Sequence, residues 1–229
     1  MSLAIFDLDN TLLSGDSDYL WGVYLAEIGV VDGEEYEAKN QQFYDEYKRG
    51  ELDIMAFLAF SLKPLSENAP QDLQRWRAGF VESKIRPLVG QPAIDLVEQH
   101  RAAGDTLLVI TATNTFVTRP IVDIFGIEHL IGTEPEQVDG RYTGQVSGIP
   151  SFRDGKVTRL RDWLEATGES LEGAAFYSDS HNDLPLLQLV DKPVAVDPDD
   201  ALRKHADQAG WPILSLHGDV HADAPTSTH

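Results

Sequence analysis

The chain has 229 residues, 42% of them hydrophobic, and a net charge of −20 from 38 acidic and 18 basic side chains. This length allows one core with a sizeable insertion or two small domains, and the charge argues against binding to nucleic acid or an anionic membrane. The absence of cysteine excludes disulfides and thiol chemistry. No apolar run approaches the roughly 18 residues of a membrane span. Because the first apolar run begins at residue 3, we expect no signal peptide and a cytoplasmic protein.

Four short apolar runs, followed by polar residues and helical patterns, predict buried parallel strands at residues 3–6, 107–110, 174–177 and 193–196. Strands that alternate with helices are typical of an α/β protein with a doubly wound, Rossmann-like parallel sheet. Within the chain, Asp139-Gly140 lies between two short strand patterns and predicts a hairpin.

About a hundred residues separate the first two runs, which is too many for a simple crossover. Residues 16–86 carry aromatic and charged side chains at helical spacing, which predicts an inserted helical subdomain. We therefore expect an α/β core of residues 1–15 and 87–218, a helical unit of residues 16–86, and a disordered tail of residues 219–229.

The first apolar run ends in Asp7 and Asp9, whose side chains face the same way if the strand continues. Two carboxylates about 4 Å apart repel each other by roughly 4 kcal/mol at a protein-like dielectric. Either a proton or a cation is expected to offset this repulsion. The alternative is that Asp-x-Asp forms a turn and caps a helix.

Other chemically active side chains follow the later strands, where ligands bind in open parallel sheets. The second strand delivers Thr111, and the third delivers Asp179 with Asp183 shortly after it. Lys156 follows Asp154, a predicted helix N-cap, and a cation in the first helical turn opposes the helix dipole. Taken singly, these residues could be turn, cap or surface residues.

Taken together, these residues resemble the four motifs of the haloacid dehalogenase-like hydrolase superfamily. The motifs are DLDNT at residues 7–11, LLVIT at 107–111, the late Lys156 and SDSHND at 178–183. The inserted helical unit resembles the cap of its phosphoserine phosphatase-like branch. The resemblance implies a Mg²⁺-dependent phosphomonoester hydrolase that works through an aspartyl-phosphate.

The resemblance also implies a role for each motif residue. Asp7 would be the nucleophile, and Asp9 would protonate the leaving alkoxide and then activate water. Thr111 and Lys156 would hold the phosphoryl oxygens, with a further backbone donor near Ala112.

The implied metal is Mg²⁺, a hard cation that prefers oxygen ligands. Its ligands would be Asp7, Asp179 and the backbone carbonyl of Asp9, with Asp183 as a ligand or an outer-shell partner.

The predicted substrate-binding residues are Asp16, Asp18, Trp21, Ala112 and Asn182. Asp16 falls about where phosphoserine phosphatases carry an acid for the substrate amine. The alternative for Asp16 and Asp18 is N-capping of the first helix of the insertion, and for Trp21 it is a place in the core.

Phosphoserine phosphatases also place an arginine in a cap helix to bind the serine carboxylate, but the corresponding stretch here, residues 52–65, has Lys63 as its only cation. The pocket therefore suits a substrate with an amine or aromatic cation and no carboxylate. Histidinol phosphate is our leading candidate among small phosphate monoesters. The alternatives are phosphoserine, a phosphotransferase on the same core, and a non-catalytic phosphate-binding protein; the oligomeric state is not predicted.

Overall fold

The computed structural model describes residues 2–218 of the 229. Its sheet consists of β1 Leu3–Phe6, β2 Thr106–Asn114, β3 His129–Val138, β4 Arg141–Ser147, β5 Ala175–Ser178, β6 Lys192–Val196 and β7 Ile213–Leu214. The strand order is β4-β3-β2-β1-β5-β6-β7, and all neighbours are parallel except β3 and β4. This is the predicted α/β, Rossmann-like sheet. The predicted disordered tail, residues 219–229, lies outside the described residues.

β1 lies at the centre of the sheet and is buried at every position. Its side chains alternate between two hydrophobic clusters: Ala4 and Phe6 pack into one, and Leu3 and Ile5 into the other. Such alternation arises when both faces of a sheet are covered, here by helices.

The other three predicted strands are confirmed within a few residues as β2, β5 and β6. β2 is longer than predicted, because the polar residues after Ile110 continue the strand to Asn114. Thr111, Thr113 and Asn114 are buried there, so a strand predicted from apolar residues alone ends too early.

Five α-helices lie within the predicted insertion of residues 16–86: α1 Ser17–Glu27, α2 Gly33–Lys48, α3 Ile54–Ser61, α4 Lys63–Glu67 and α5 Pro70–Phe80. Five more follow before residue 218: α6 Gln91–Ala103, α7 Thr115–Ile124, α8 Asp154–Thr167, α9 Leu184–Leu187 and α10 Asp200–Ala209. None of the helices within residues 2–218 combines the length and apolarity that crossing a membrane requires. The division into a core and a cap at residues 16 and 86 stays a prediction.

Polar side chains and glycines set the ends of several helices. Asp16 accepts a hydrogen bond from the Tyr19 N–H at the start of α1, and Asn114 accepts one from the Val117 N–H at the start of α7. α6 ends at Gly104, whose φ of 77° is easily adopted by glycine.

The predicted hairpin at Asp139-Gly140 joins β3 to β4. Both residues have positive φ, 50° and 75°, as a two-residue hairpin turn requires. The hairpin touches the inserted helices at Gly144, where an added Cβ would lie 3.1 Å from the Ser66 hydroxyl.

A hydrogen-bonded chain of Asp105, His100 and Tyr177 ties α6 to the strands beside it. Asp105 Oδ2 lies 2.9 Å from His100 Nδ1, and His100 Nε2 lies 2.8 Å from the Tyr177 hydroxyl. The other Asp105 oxygen accepts the Ser2 N–H and hydroxyl, both at 2.9 Å. The hydrogen bond from His100, then that from Ser2, lowers the pKa of Asp105 from 3.8 to about 2.

This lowered pKa predicts a pH-dependent contribution to stability. Because the folded pKa lies below the unfolded value, charged Asp105 stabilises the fold above about pH 4, and this contribution is lost as the pH falls towards 2. We expect Asp105→Asn to lower the free energy of unfolding by about 2 kcal/mol at pH 7. Urea unfolding from pH 7 to pH 3 should show the difference from wild type shrinking below pH 4.

The matched control is Asp95→Asn, because Asp95 is exposed on α6 and accepts a hydrogen bond from Gln91. It should leave the free energy of unfolding almost unchanged at every pH. A difference for Asp105→Asn that stays constant from pH 7 to pH 3 would contradict the assignment.

Candidate active site

The carboxyl edge of β1 and β5 brings Asp7 and Asp179 together. Asp7 follows β1 and donates its N–H to the Tyr177 carbonyl at 2.9 Å, so its backbone continues the sheet. The chain then turns sharply at Asn10, which has φ 56°, and returns Thr11 to the strand end. The Thr11 hydroxyl lies 3.5 Å from Asp7 Oδ2 and 3.2 Å from Asp179 Oδ1.

Lys156 is the cation beside Asp7. Its Nζ lies 2.7 Å from Asp7 Oδ1 and 2.8 Å from Asp183 Oδ2, and all three side chains are buried. Although burial opposes the charge, Asp183 and Asp7 raise the pKa of Lys156, which keeps the ammonium protonated.

The start of α8 places Lys156 in this position. The prediction that Asp154 caps α8 is wrong by one residue: Arg153 occupies the cap position and Asp154 is the first helical residue. A Cβ on Gly155 would clash with the Pro150 carbonyl oxygen, so the close approach of these backbones requires glycine there.

Asp183 is held inside the protein behind this pair. Besides Lys156, it accepts the Ser178 hydroxyl at 2.7 Å. It precedes α9 but makes no side-chain cap hydrogen bond, so the capping alternative is wrong. These contacts fit an outer-shell role better than direct metal ligation.

Asp9 is held apart from Asp7 by donors of its own. Oδ1 accepts the Ser17 N–H at 2.6 Å, at the positive N-terminus of α1. Oδ2 lies 2.7 Å from the Thr113 hydroxyl and 3.4 Å from that of Thr111. Asp7 and Asp9 therefore have different hydrogen-bonding partners, which offset the repulsion between the two carboxylates.

The cluster carries more negative charge than Lys156 can balance. Burial, partly opposed by Lys156, raises the pKa of Asp7 to about 7. Burial, followed by the charges of Asp7 and Asp183, raises the pKa of Asp179 well above its usual range. A divalent cation beside Asp7 and Asp179 would offset this excess, so the donor set fits Mg²⁺.

Within residues 2–218, no three His, Cys, Asp or Glu side chains form a group that could hold a metal by themselves. The predicted Mg²⁺ set needs only two side chains, Asp7 and Asp179, together with the Asp9 carbonyl and water. Magnesium commonly keeps several waters and takes only one or two protein carboxylates, so the two observations are compatible.

A cavity lies between this strand edge and the inserted helices. Its core side includes the predicted Asp7, Asp9, Thr111, Ala112 and Lys156. Its helical side is aromatic and acidic, and the aromatic residues around it are Tyr19, Phe43, Tyr44, Tyr47, Phe57 and Phe152.

Asp16 and Asp18 are the acidic residues on the helical side of the cavity. Burial, followed by the charge of Asp9, raises the pKa of Asp16 to about 7. Burial, followed by the charge of Asp16, raises the pKa of Asp18 well above its usual range. Asp16 caps α1 and also lines the cavity, so the capping and binding interpretations are compatible for this residue.

The structure does not place Trp21 or Asn182 on the cavity wall. Trp21 is buried, with its ring 5.2 Å from Phe80 and 6.0 Å from Phe116, because it fills the space between the insertion and the core. Asn182 is turned to neighbouring groups: it accepts a hydrogen bond from Arg153 at 3.0 Å.

Sequence reasoning assigned no role to several polar residues that hold the site. Thr11 and Thr113 lie inside or just after the quoted motifs, so a search for hydroxyls near each strand end would have found them. Ser178, before Asp179, could be found in the same way. Arg153 carries no pattern that marks it.

Comparisons with known proteins identify the family of this chain. The model of the haloacid dehalogenase-like hydrolase family matches residues 4–188. A histidinol-phosphatase of Neisseria meningitidis serogroup C is 49% identical over 94% of this chain and 99% of its own length. A phosphoserine phosphatase of Halobacterium salinarum is 30% identical over 90% of this chain and 91% of its own.

Two solved structures share the fold. A protein of unknown function from Bordetella pertussis Tohama I has a TM-score of 0.89 at 45% identity, covering 94% of this chain and 98% of its own. A substrate-bound phosphoserine phosphatase has a TM-score of 0.70 at 17% identity, covering 93% and 92%, and supports the fold alone. The chain belongs to the haloacid dehalogenase-like hydrolase family and is a phosphatase, as its four motifs predicted.

Proposed function

We propose that this phosphatase hydrolyses histidinol phosphate through an aspartyl-phosphate on Asp7. The observation that carries the proposal is the division of charge along the cavity. Lys156 lies at the phosphoryl end, Asp16 and Asp18 lie on the helical side, and within residues 2–218 no arginine lines the wall. The 49% identical relative named a histidinol-phosphatase supports the same substrate.

The core residues supply the chemistry. An oxygen of Asp7 attacks phosphorus, and the bond to the leaving alkoxide breaks as Asp9 gives that oxygen a proton. Asp9 then takes a proton from the water that cleaves the aspartyl-phosphate. Thr111 and Lys156 hold the phosphoryl oxygens, and Ser17 and Thr113 keep Asp9 oriented.

Mg²⁺ would be held by Asp7, Asp179 and the backbone carbonyl of Asp9. When bound, it supplies charge that offsets the phosphoryl oxygens and orients the group. Asp183 supports the site from the outer shell through Lys156.

The helical side would select the leaving group. Asp16 and Asp18 line the cavity and would bind the substrate ammonium, and the aromatic residues around it would offer ring faces to the imidazole. Lys63, the only cation of residues 52–65, lies 3.6 Å from Glu67 and does not line this cavity. Residues 16–86 would thus act as the substrate-selecting cap on the core of residues 1–15 and 87–218.

Asp7→Asn tests the nucleophile. We expect phosphate release to fall by a factor on the order of 10⁴ or more, because an amide oxygen does not form the aspartyl-phosphate. Circular dichroism should show an unchanged fold. Asp162→Asn, at an exposed position of α8, should retain full activity. Substantial turnover by Asp7→Asn would refute the assignment.

Phosphate release from histidinol phosphate, phosphoserine and phosphocholine tests the substrate. We expect kcat/KM for histidinol phosphate to exceed that for phosphoserine by on the order of a hundredfold, because the serine carboxylate would face acids without an arginine partner. A preference for phosphoserine would overturn the argument from the missing arginine.

A matched pair of variants sharpens this test. Asp18→Asn should lower kcat/KM for histidinol phosphate roughly tenfold and leave that for acetyl phosphate, which has no amine, nearly unchanged. Asp45→Asn, at an exposed position of α2, should affect neither substrate.

Thermal unfolding tests the metal site without relying on activity. At a Mg²⁺ concentration a hundredfold above the dissociation constant, binding stabilises the fold by about 2.7 kcal/mol, which raises the Tm of a chain of this size by about 5–10 °C. Asp179→Asn should lose most of this shift, while Asp162→Asn keeps it. An equal shift in Asp179→Asn would place the metal elsewhere.

A further inference from the structure

The turn formed by residues 47–50, which includes the end of α2, brings a residue of the insertion to the catalytic carboxylates. Tyr47 lines the same cavity as Asp7 and Lys156. Burial, followed by the charges of Asp179 and Asp7, raises the pKa of Tyr47 well above its usual value. The phenol therefore stays protonated and is available as a hydrogen-bond donor.

Two core side chains hold this turn in place. The Arg153 guanidinium donates to the Gly50 carbonyl, and its Nε donates to Asn182 Oδ1 at 3.0 Å. Asn182 Nδ2 in turn lies 3.3 Å from the Tyr47 carbonyl. Gly50 lies just past the C-terminus of α2, where the helix dipole attracts cations, so a guanidinium suits this position. Arg153 also lies over the Phe152 ring, 5.0 Å from its centroid.

The turn fits closely against the core. Gly50 has φ 69°, and a Cβ there would lie 2.7 Å from His181 Nε2 and 3.1 Å from Arg153 Nη2. The ring of Phe152 lies 6.1 Å from that of Tyr47. A bulkier residue at position 50 would push the turn, and Tyr47 with it, away from the site.

Arg153 adopts a backbone conformation that favours glycine. Its φ is 49° and its ψ is −120°, which is uncommon for a residue with a side chain. Glycine would adopt these angles more easily, but it would lose both hydrogen bonds to the turn and to Asn182. An arginine retained in such a conformation indicates that its side-chain contacts are needed.

We propose that Tyr47 is a further catalytic residue, whose hydroxyl donates a hydrogen bond to the phosphoryl group, and that Arg153 is a positioning residue that holds it there. This inference rests on the proposed phosphatase site but not on the identity of the substrate. Because the phosphoryl group is common to all substrates, the effect extends to esters that make no contact with Asp16 or Asp18.

A double-mutant cycle tests the proposal with acetyl phosphate and histidinol phosphate. Tyr47→Phe and Arg153→Met should each lower kcat/KM about tenfold with both substrates. If Arg153 acts through Tyr47, the double variant should be no more than about twentyfold below wild type. Unchanged activity of Tyr47→Phe, or a double variant down by the product of the single effects, about a hundredfold, would overturn the proposal.

Hydrogen exchange provides a readout that does not depend on turnover. The amides of Gly50 and Glu51, which donate to the Tyr47 and Glu46 carbonyls, should exchange about tenfold faster in Arg153→Met. Arg49→Met is the matched control, because Arg49 is exposed in the same turn and pairs with Glu51. Equal exchange of these amides in Arg153→Met and wild type would overturn the positioning role.

A second variant separates this role from a general loss of folding. Arg153→Lys keeps a cation and should recover part of the activity and slow the exchange relative to Arg153→Met. Slow exchange of the β1 and β2 amides in all variants would show that the sheet is intact. If Asp7→Asn proved active, the proposed phosphatase site would fail, while the exchange result would still report on the turn.

Discussion

The buried ion pairs of Lys156 hold the site together. One ammonium lies within 2.8 Å of both Asp7 and Asp183, and so joins the first turn of α8 to residues that follow β1 and β5. Burying three charges costs free energy unless opposite charges lie close together, so any shift of α8 away from Asp7 and Asp183 would destabilise the fold. This constraint explains the glycine at position 155 and the hydroxyl of Ser178, which allow or complete the contact.

Lys156 also orients Asp7 and leaves part of the negative charge of the surrounding carboxylates unbalanced. With one Asp7 oxygen bound to the ammonium, the other faces Thr11 and the side of Asp179. The net charge that remains is negative, so the edge of the sheet favours a divalent cation and, through that cation, a phosphate group. Binding of an anionic substrate by a chain with a net charge of −20 thus depends on a few local positive charges.

The sequence was sufficient to predict the parts of the fold governed by local patterns. Buried apolar runs marked the central strands, and the order of Asp7, Thr111, Lys156 and Asp179 along the chain marked the strand edge. The sequence was insufficient where packing between distant segments determines the role of a residue. Aromatic residues at helical spacing can belong to a core or a cavity, and only the contacts with Phe80 and Phe116 assign Trp21 to the core.

The contacts of Arg153 could not be predicted from the sequence for the same reason, since its partner Gly50 lies 103 residues away.

These contacts also connect the residues proposed for the chemistry with the residues proposed to select the substrate. Asp7, Asp9 and Lys156 lie at the strand edge, whereas Asp16 and Asp18 lie at the start of α1. The proposed selection of the leaving group by these two acids requires that the inserted helices keep a fixed position relative to Asp7. Hydrogen bonds from Arg153 and Asn182 to the carbonyls of Gly50 and Tyr47 favour such a position, and they tolerate changes of the side chains in the insertion because every residue type has a backbone carbonyl.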